Sequence, residues 1–160
     1  MSKILEAILI GTVLAAGIGS VALAADAPDP IVGTWKLNIA KSKFTPGPAP
    51  KSQKRTYSQT EQGTVLTFTG VAADGSPISG RSTFKYDGKD YPMTGSPNYD
   101  TVSLKRLNGT TVRAALKKGG KAVGTTIRTI SGRGKVLTLS SRGTDSKGTP
   151  FDDVAVYDKQ

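Results

Sequence analysis

From Ile31 onward, apolar and polar residues alternate with a period of two, and turn-forming pairs interrupt the pattern at short intervals. Gly33, Trp35, Leu37 and Ile39 share one face of the first run, and Thr34, Lys36 and Asn38 share the other. That pattern predicts a strand with one buried side. The following stretch, Phe44 to Pro50, carries Pro46, Pro48 and Pro50, which forbid both a helix interior and a central strand. Beyond it come Gln62-Gly63, Asp74-Gly75, Asp87-Gly88, Asn108-Gly109, Gly119-Gly120, Gly132-Arg133-Gly134 and Lys147-Gly148. Such pairs accept the positive φ of tight hairpin turns.

Between the turns, runs rich in Thr, Val, Ile, Phe and Tyr predict strands at Lys54–Glu61, Val65–Ala72, Ile78–Tyr86, Thr101–Leu107, Val112–Leu116, Val123–Ile130, Val136–Ser141 and Phe151–Asp158. A shorter run spans Asp90–Met93. No segment after residue 30 shows a helical apolar stripe. About ten strands joined by consecutive hairpins form an antiparallel meander, which closes to remove its open edges. The predicted fold class is all-β, an antiparallel up-and-down β-barrel. The alternative is a two-sheet β-sandwich.

The first residues follow another logic. Lys3 gives a short basic start, Ala7 to Leu23 is apolar or small apart from Thr12 and Ser20, and Ala22-x-Ala24 offers a cleavage site. This order predicts a signal peptide over residues 1–24, a flexible leader over 25–30 and one barrel domain over 31–160. The expected location is periplasmic or secreted, with no integral membrane span after cleavage. The alternative keeps the segment as a membrane anchor.

The chain has 160 residues and a formal net charge of +10, and loss of Lys3 and Glu6 with the signal peptide leaves that balance unchanged. It favours anionic surfaces as partners. There is no Cys, so neither disulfides nor lipid modification of a cysteine enters, and stability rests on a hydrophobic core.

Two terminal motifs carry a resemblance. Val32-Gly33-Thr34-Trp35-Lys36-Leu37-Asn38 resembles the opening strand of the lipocalins and fatty-acid-binding proteins, with its Gly-x-Trp signature, which avidin-like barrels also share. Val156-Tyr157-Asp158-Lys159 resembles the closing strand of the fatty-acid-binding proteins, where Arg-x-Tyr precedes an acidic residue and Lys. The whole chain is similar to bacterial lipocalin-like exported proteins of undefined function. The resemblance implies a lipocalin-like (calycin) barrel that binds a small apolar or amphipathic ligand inside. Two departures limit it. Ala40 to Ser52 is too short and Pro-rich to hold a pair of lid helices, and Ala155 stands where the family has its ligand-anchoring Arg.

Chemistry is sparsely provided. There is no His, which removes the commonest general base, and without Cys the usual thiol nucleophiles and zinc sites drop out as well. Asp152 and Asp153 are neighbours in a strand, so they point to opposite faces and form no acid–base pair. No cofactor or metal is expected, and the chain reads as a binding protein, not an enzyme.

Trp35 reads as a floor-packing residue, with a cation such as Arg142 a candidate for its face. Arg106 follows Val102 and Leu104 in the apolar phase and is a candidate anchor for an anionic head group, with the Tyr157 hydroxyl as a second candidate. The competing readings are an Arg that snorkels to solvent and a Tyr that packs in the core. A different function class uses the outside of a barrel whose interior is filled. Lys105, Arg113, Lys117, Lys118, Lys121, Arg133 and Lys135 crowd consecutive hairpins and, if these ends lie together, make a patch for anionic lipid or envelope polymer. Nucleic acid is disfavoured as a partner, because aromatic stacking positions are not interleaved with these residues.

Overall fold

The computed structural model describes residues 28–160. The signal-peptide segment and all but the end of the leader lie outside the described residues. Ten strands follow in order: β1 (Gly33–Leu37), β2 (Ser52–Thr60), β3 (Gly63–Val71), β4 (Pro77–Phe84), β5 (Asp87–Pro92), β6 (Thr101–Arg106), β7 (Thr111–Lys118), β8 (Lys121–Ser131), β9 (Val136–Thr144) and β10 (Pro150–Lys159). They form one continuous antiparallel sheet in the order β4-β3-β2-β1-β10-β9-β8-β7-β6-β5. Chain neighbours are sheet neighbours throughout, and β1 joins β10. The result is a nearly closed meander barrel and not a two-sheet sandwich.

Closure is completed at the seam between β4 and β5, where the ladder shrinks to a single bridge, Ser82 to Met93. The Thr94 N–H donates to the Arg81 carbonyl at 3.0 Å and the Ser82 hydroxyl donates to the Pro92 carbonyl at 2.8 Å. Gly80 and Gly95 let the backbones meet here, since a Cβ on either would strike the carbonyl oxygen of Thr94 or Ser79.

One end of the barrel is a floor. Trp35 and Ile31 are fully buried there, and the Trp35 indole N–H donates to the Ile31 carbonyl at 2.8 Å. The face of Trp35 carries Lys159, whose Nζ lies 5.1 Å from the ring centre. Arg142, the cation expected there, instead pairs with Asp152 on the outside at 3.1 Å. Ile39 also departs from expectation. Asn38 caps a short 3-10 turn over Ile39–Lys41 by accepting the Lys41 N–H at 3.2 Å, and the turn carries Ile39 out of the strand phase to 43% exposure.

The opposite end is a mouth, crossed by the Pro-rich connection between β1 and β2. The first half of β10 extends past its pairing with β1, which leaves one backbone edge free. Residues 38–45 take that edge: the Asn38 N–H donates to the Val156 carbonyl, Lys43 and Val154 exchange a pair of hydrogen bonds, and Asp152 donates to Thr45. The strap hangs Phe44 over the opening. No pair of helices covers the barrel; among the described residues the only helical element is the 3-10 turn.

Candidate functional site

The barrel encloses a cavity of about 220 Å³ whose apolar wall includes Leu66, Phe84, Met93, Val102, Leu104 and Leu116. It shares Phe44, Tyr99 and Asp153 with a vestibule of about 320 Å³ under the strap. The cavity alone falls below the roughly 300–1,000 Å³ of drug-sized sites, and the vestibule extends it towards solvent.

Two arginines face this space. In β2 the inward phase is Gln53, Arg55 and Tyr57, alternating with outward Ser52, Lys54 and Thr56, and it ends on the buried Tyr57. Arg55 is enclosed by protein, and the surface it keeps faces the cavity. Its Nε donates to the Tyr57 hydroxyl at 3.2 Å and its Nη1 to the Gln53 amide oxygen at 3.3 Å. The guanidinium also lies 5.3 Å from the Phe68 ring centre and 5.8 Å from that of Tyr157. Burial works against its charge, but the oxygens of Tyr57, Tyr157 and Tyr99 outweigh burial, and the group is held firmly protonated.

Arg128 lies on β8 in phase with Ile130 and is only 5% exposed. Its Nη2 donates to the Tyr86 hydroxyl at 2.7 Å, and the cation sits 5.2 Å from the Tyr86 ring centre and 5.8 Å from that of Tyr57. Its Nε is buried with no hydrogen-bond partner. Tyr57 therefore links the two cations, accepting from Arg55 and offering its ring to Arg128. Neither arginine forms an ion pair with a carboxylate among the described residues. An ion removed from water without a counterion costs several kcal/mol even after relaxation. The cation–π contacts and hydroxyls offset part of that cost, and an anion in the cavity would offset the rest.

The residues singled out in the sequence fall in different places. Tyr157 lines the cavity and donates to Gln53. Arg106 does not line it. It sits at the floor end of β6, stacked 4.2 Å from the Tyr86 ring centre, with its Nη2 2.9 Å from Asp29 Oδ2. The structure therefore does not bring Arg106 and Tyr157 together.

The seven basic residues do not form one patch, because successive hairpins of a meander point to opposite ends. Lys117, Lys118 and Lys121 flank the β7–β8 turn at the mouth, whereas Arg133 and Lys135 occupy the β8–β9 turn at the floor. Lys105 and Arg113 face each other across β6 and β7, nearer the floor. Lys117 is further engaged by Asp90 at 2.7 Å, and Lys118 lies 4.0 Å from Asp100.

Arg55 and Arg128 escape a reading of the sequence for a definable reason. Ser52 to Thr60 holds one apolar residue, Tyr57, too few to mark a face. The Arg128 signal was its two-residue offset from Ile130, obscured by the adjacent Ile127 in the opposite phase.

Behind Tyr86 the polar network reaches the floor. Burial would raise the Asp29 carboxyl, but the Tyr86 hydroxyl, the Ile31 N–H and Arg106 outweigh it and hold the group below its ordinary 3.8. Stability from this carboxylate is complete above that ordinary value and is lost as pH falls towards the lowered one. Thermal melts across acid pH are therefore expected to show the wild type losing its advantage over Asp29→Asn below about pH 4. A gap that stays constant through that window would rule out the ionised Asp29 as its source.

No family model matches the chain, and no curated protein matches it. Among solved structures, the chain is similar to zebrafish ileal bile acid-binding protein complexed with cholic acid. The TM-score is 0.47 at 12% identity, and the match covers 82% of this chain and 99% of that one.

Proposed function

We propose that this barrel binds a small amphipathic molecule without transforming it, with the ligand's anionic group against Arg55 and Arg128 and its apolar part against the Leu66–Leu104 wall. One observation carries the reading: two enclosed guanidinium groups face an apolar cavity without a carboxylate partner, and one of them leaves a buried Nε unused. A barrel that served only as a scaffold gains nothing from two unpaired interior charges, since apolar residues of similar size pack there at lower cost. The N-terminal sequence supports export, so the ligand is one met in the periplasm or outside the cell.

The surface reading, in which a filled barrel meets anionic lipid or polymer through a basic patch, has no observation in its favour. The interior is hollow, and the basic residues divide between the two ends.

Calorimetric titration with decanoate and with decanol separates an anion site from a merely apolar one. Charge-assisted hydrogen bonds contribute roughly 1.5–3 kcal/mol, so decanoate is expected to bind at least about tenfold more tightly. Equal affinities would falsify the anion reading.

A further inference from the structure

Resting on that reading, we infer that the ligand is bipolar, with an ammonium group held at the mouth by Asp153 while its anionic group lies inward at the arginines. Asp153 shares the inward phase of β10 with Ala155 and Tyr157, and it borders both the cavity and the vestibule. One carboxylate oxygen accepts the Thr45 N–H at 2.9 Å. No Lys or Arg pairs with Asp153 among the described residues. The vestibule lining contains no Lys or Arg at all, although the chain carries a net charge of +10.

One chamber therefore holds positive charge inside and negative charge at its opening. The two are not each other's partners: neither Arg55 nor Arg128 lies within ion-pair distance of Asp153. Each sign is left for a ligand to neutralise.

The surroundings of Asp153 select the kind of group. Phe44, Tyr99 and Phe151 border the same vestibule. Aromatic faces attract an ammonium ion, and a carboxylate beside them strengthens the preference. A simple anion leaves Asp153 without a counterion, whereas the ammonium end of a bipolar ligand supplies one.

The test is calorimetric titration of the wild type, Asp153→Asn and Asp153→Ser with the saturated acids from hexanoate to dodecanoate and with their ω-amino analogues. Thermal melts establish that each variant is folded. In the wild type the best ω-amino acid is expected to bind about tenfold more tightly than the plain acid of equal length, the gain of one charge-assisted contact. Both variants are expected to abolish that preference while leaving the plain acids bound equally or more tightly.

If Asp153 only anchors the strap through Thr45, both ligand series will weaken together in the variants, and the inference is overturned. It is also overturned if the wild type binds plain acids but gains nothing from the amino group; the anion site then stands alone. If the wild type binds neither series, the anion site itself falls.

Discussion

Truncating Trp35 to Ala is expected to lower unfolding stability by about 3–5 kcal/mol. Trp35 is the one tryptophan of the chain and is fully buried beside Ile31, itself fully buried. Removing it opens a hole in the floor. It also strips the Ile31 carbonyl of its donor and takes away the ring beneath Lys159. Domains of this size have only about 5–15 kcal/mol in total, so the variant sits close to unfolding at ambient temperature. Trp35→Phe keeps most of the packing and loses the indole N–H, for an expected cost of about 1–3 kcal/mol from the carbonyl left without a partner. Denaturant titration followed by circular dichroism measures both, because neither variant retains a tryptophan to fluoresce. A loss below about 1 kcal/mol for Trp35→Ala would mean that the floor repacks around the hole and is not built on this residue.

The strand rhythm was legible because it depends on neighbours in sequence. Gly119-Gly120 marks its turn by positive φ at both residues, Asn108-Gly109 by the Asn108 side chain, which accepts the Thr110 and Thr111 N–H groups, and β1 announces its buried face through Trp35 and Leu37. What depended on partners across the sheet was not legible. Lys159 and not Arg142 meets the face of Trp35 because β10 pairs with β1 in the register Trp35 to Lys159. The basic hairpins looked like one cluster along the chain, but β8 spans eleven residues and separates its two turns by the height of the barrel. The strap could be excluded as a helix pair from its prolines, yet its real role, pairing with the free half of β10 and presenting Phe44, rests on β1 being five residues long beside a ten-residue β10. The interior arginines were hidden for a related reason. A polar residue facing inward looks the same in sequence as one facing water until its strand's phase is known.

Arg128→Met is expected to move binding and stability in opposite directions. Ligand-free, the variant replaces a buried cation that has no carboxylate partner by an apolar chain of comparable length. The change removes the desolvation cost of an uncompensated buried charge and orphans no opposite charge, so the ligand-free variant is expected to be at least as stable as the wild type. None is orphaned here: Arg128 donates to Tyr86, and the charge beyond that ring, Asp29, keeps its own pairing with Arg106. With decanoate the variant loses a charge-assisted contact inside the barrel, roughly 1.5–3 kcal/mol, so affinity should fall by about tenfold to a hundredfold. The two effects combine in thermal melts. Saturating decanoate raises the wild-type midpoint by linkage, whereas Arg128→Met starts at an equal or higher midpoint and gains much less. If Arg128 were a structural strut, the ligand-free variant would instead melt lower. Its loss of affinity would then match that for decanol, since a damaged cavity weakens an alcohol as much as an acid.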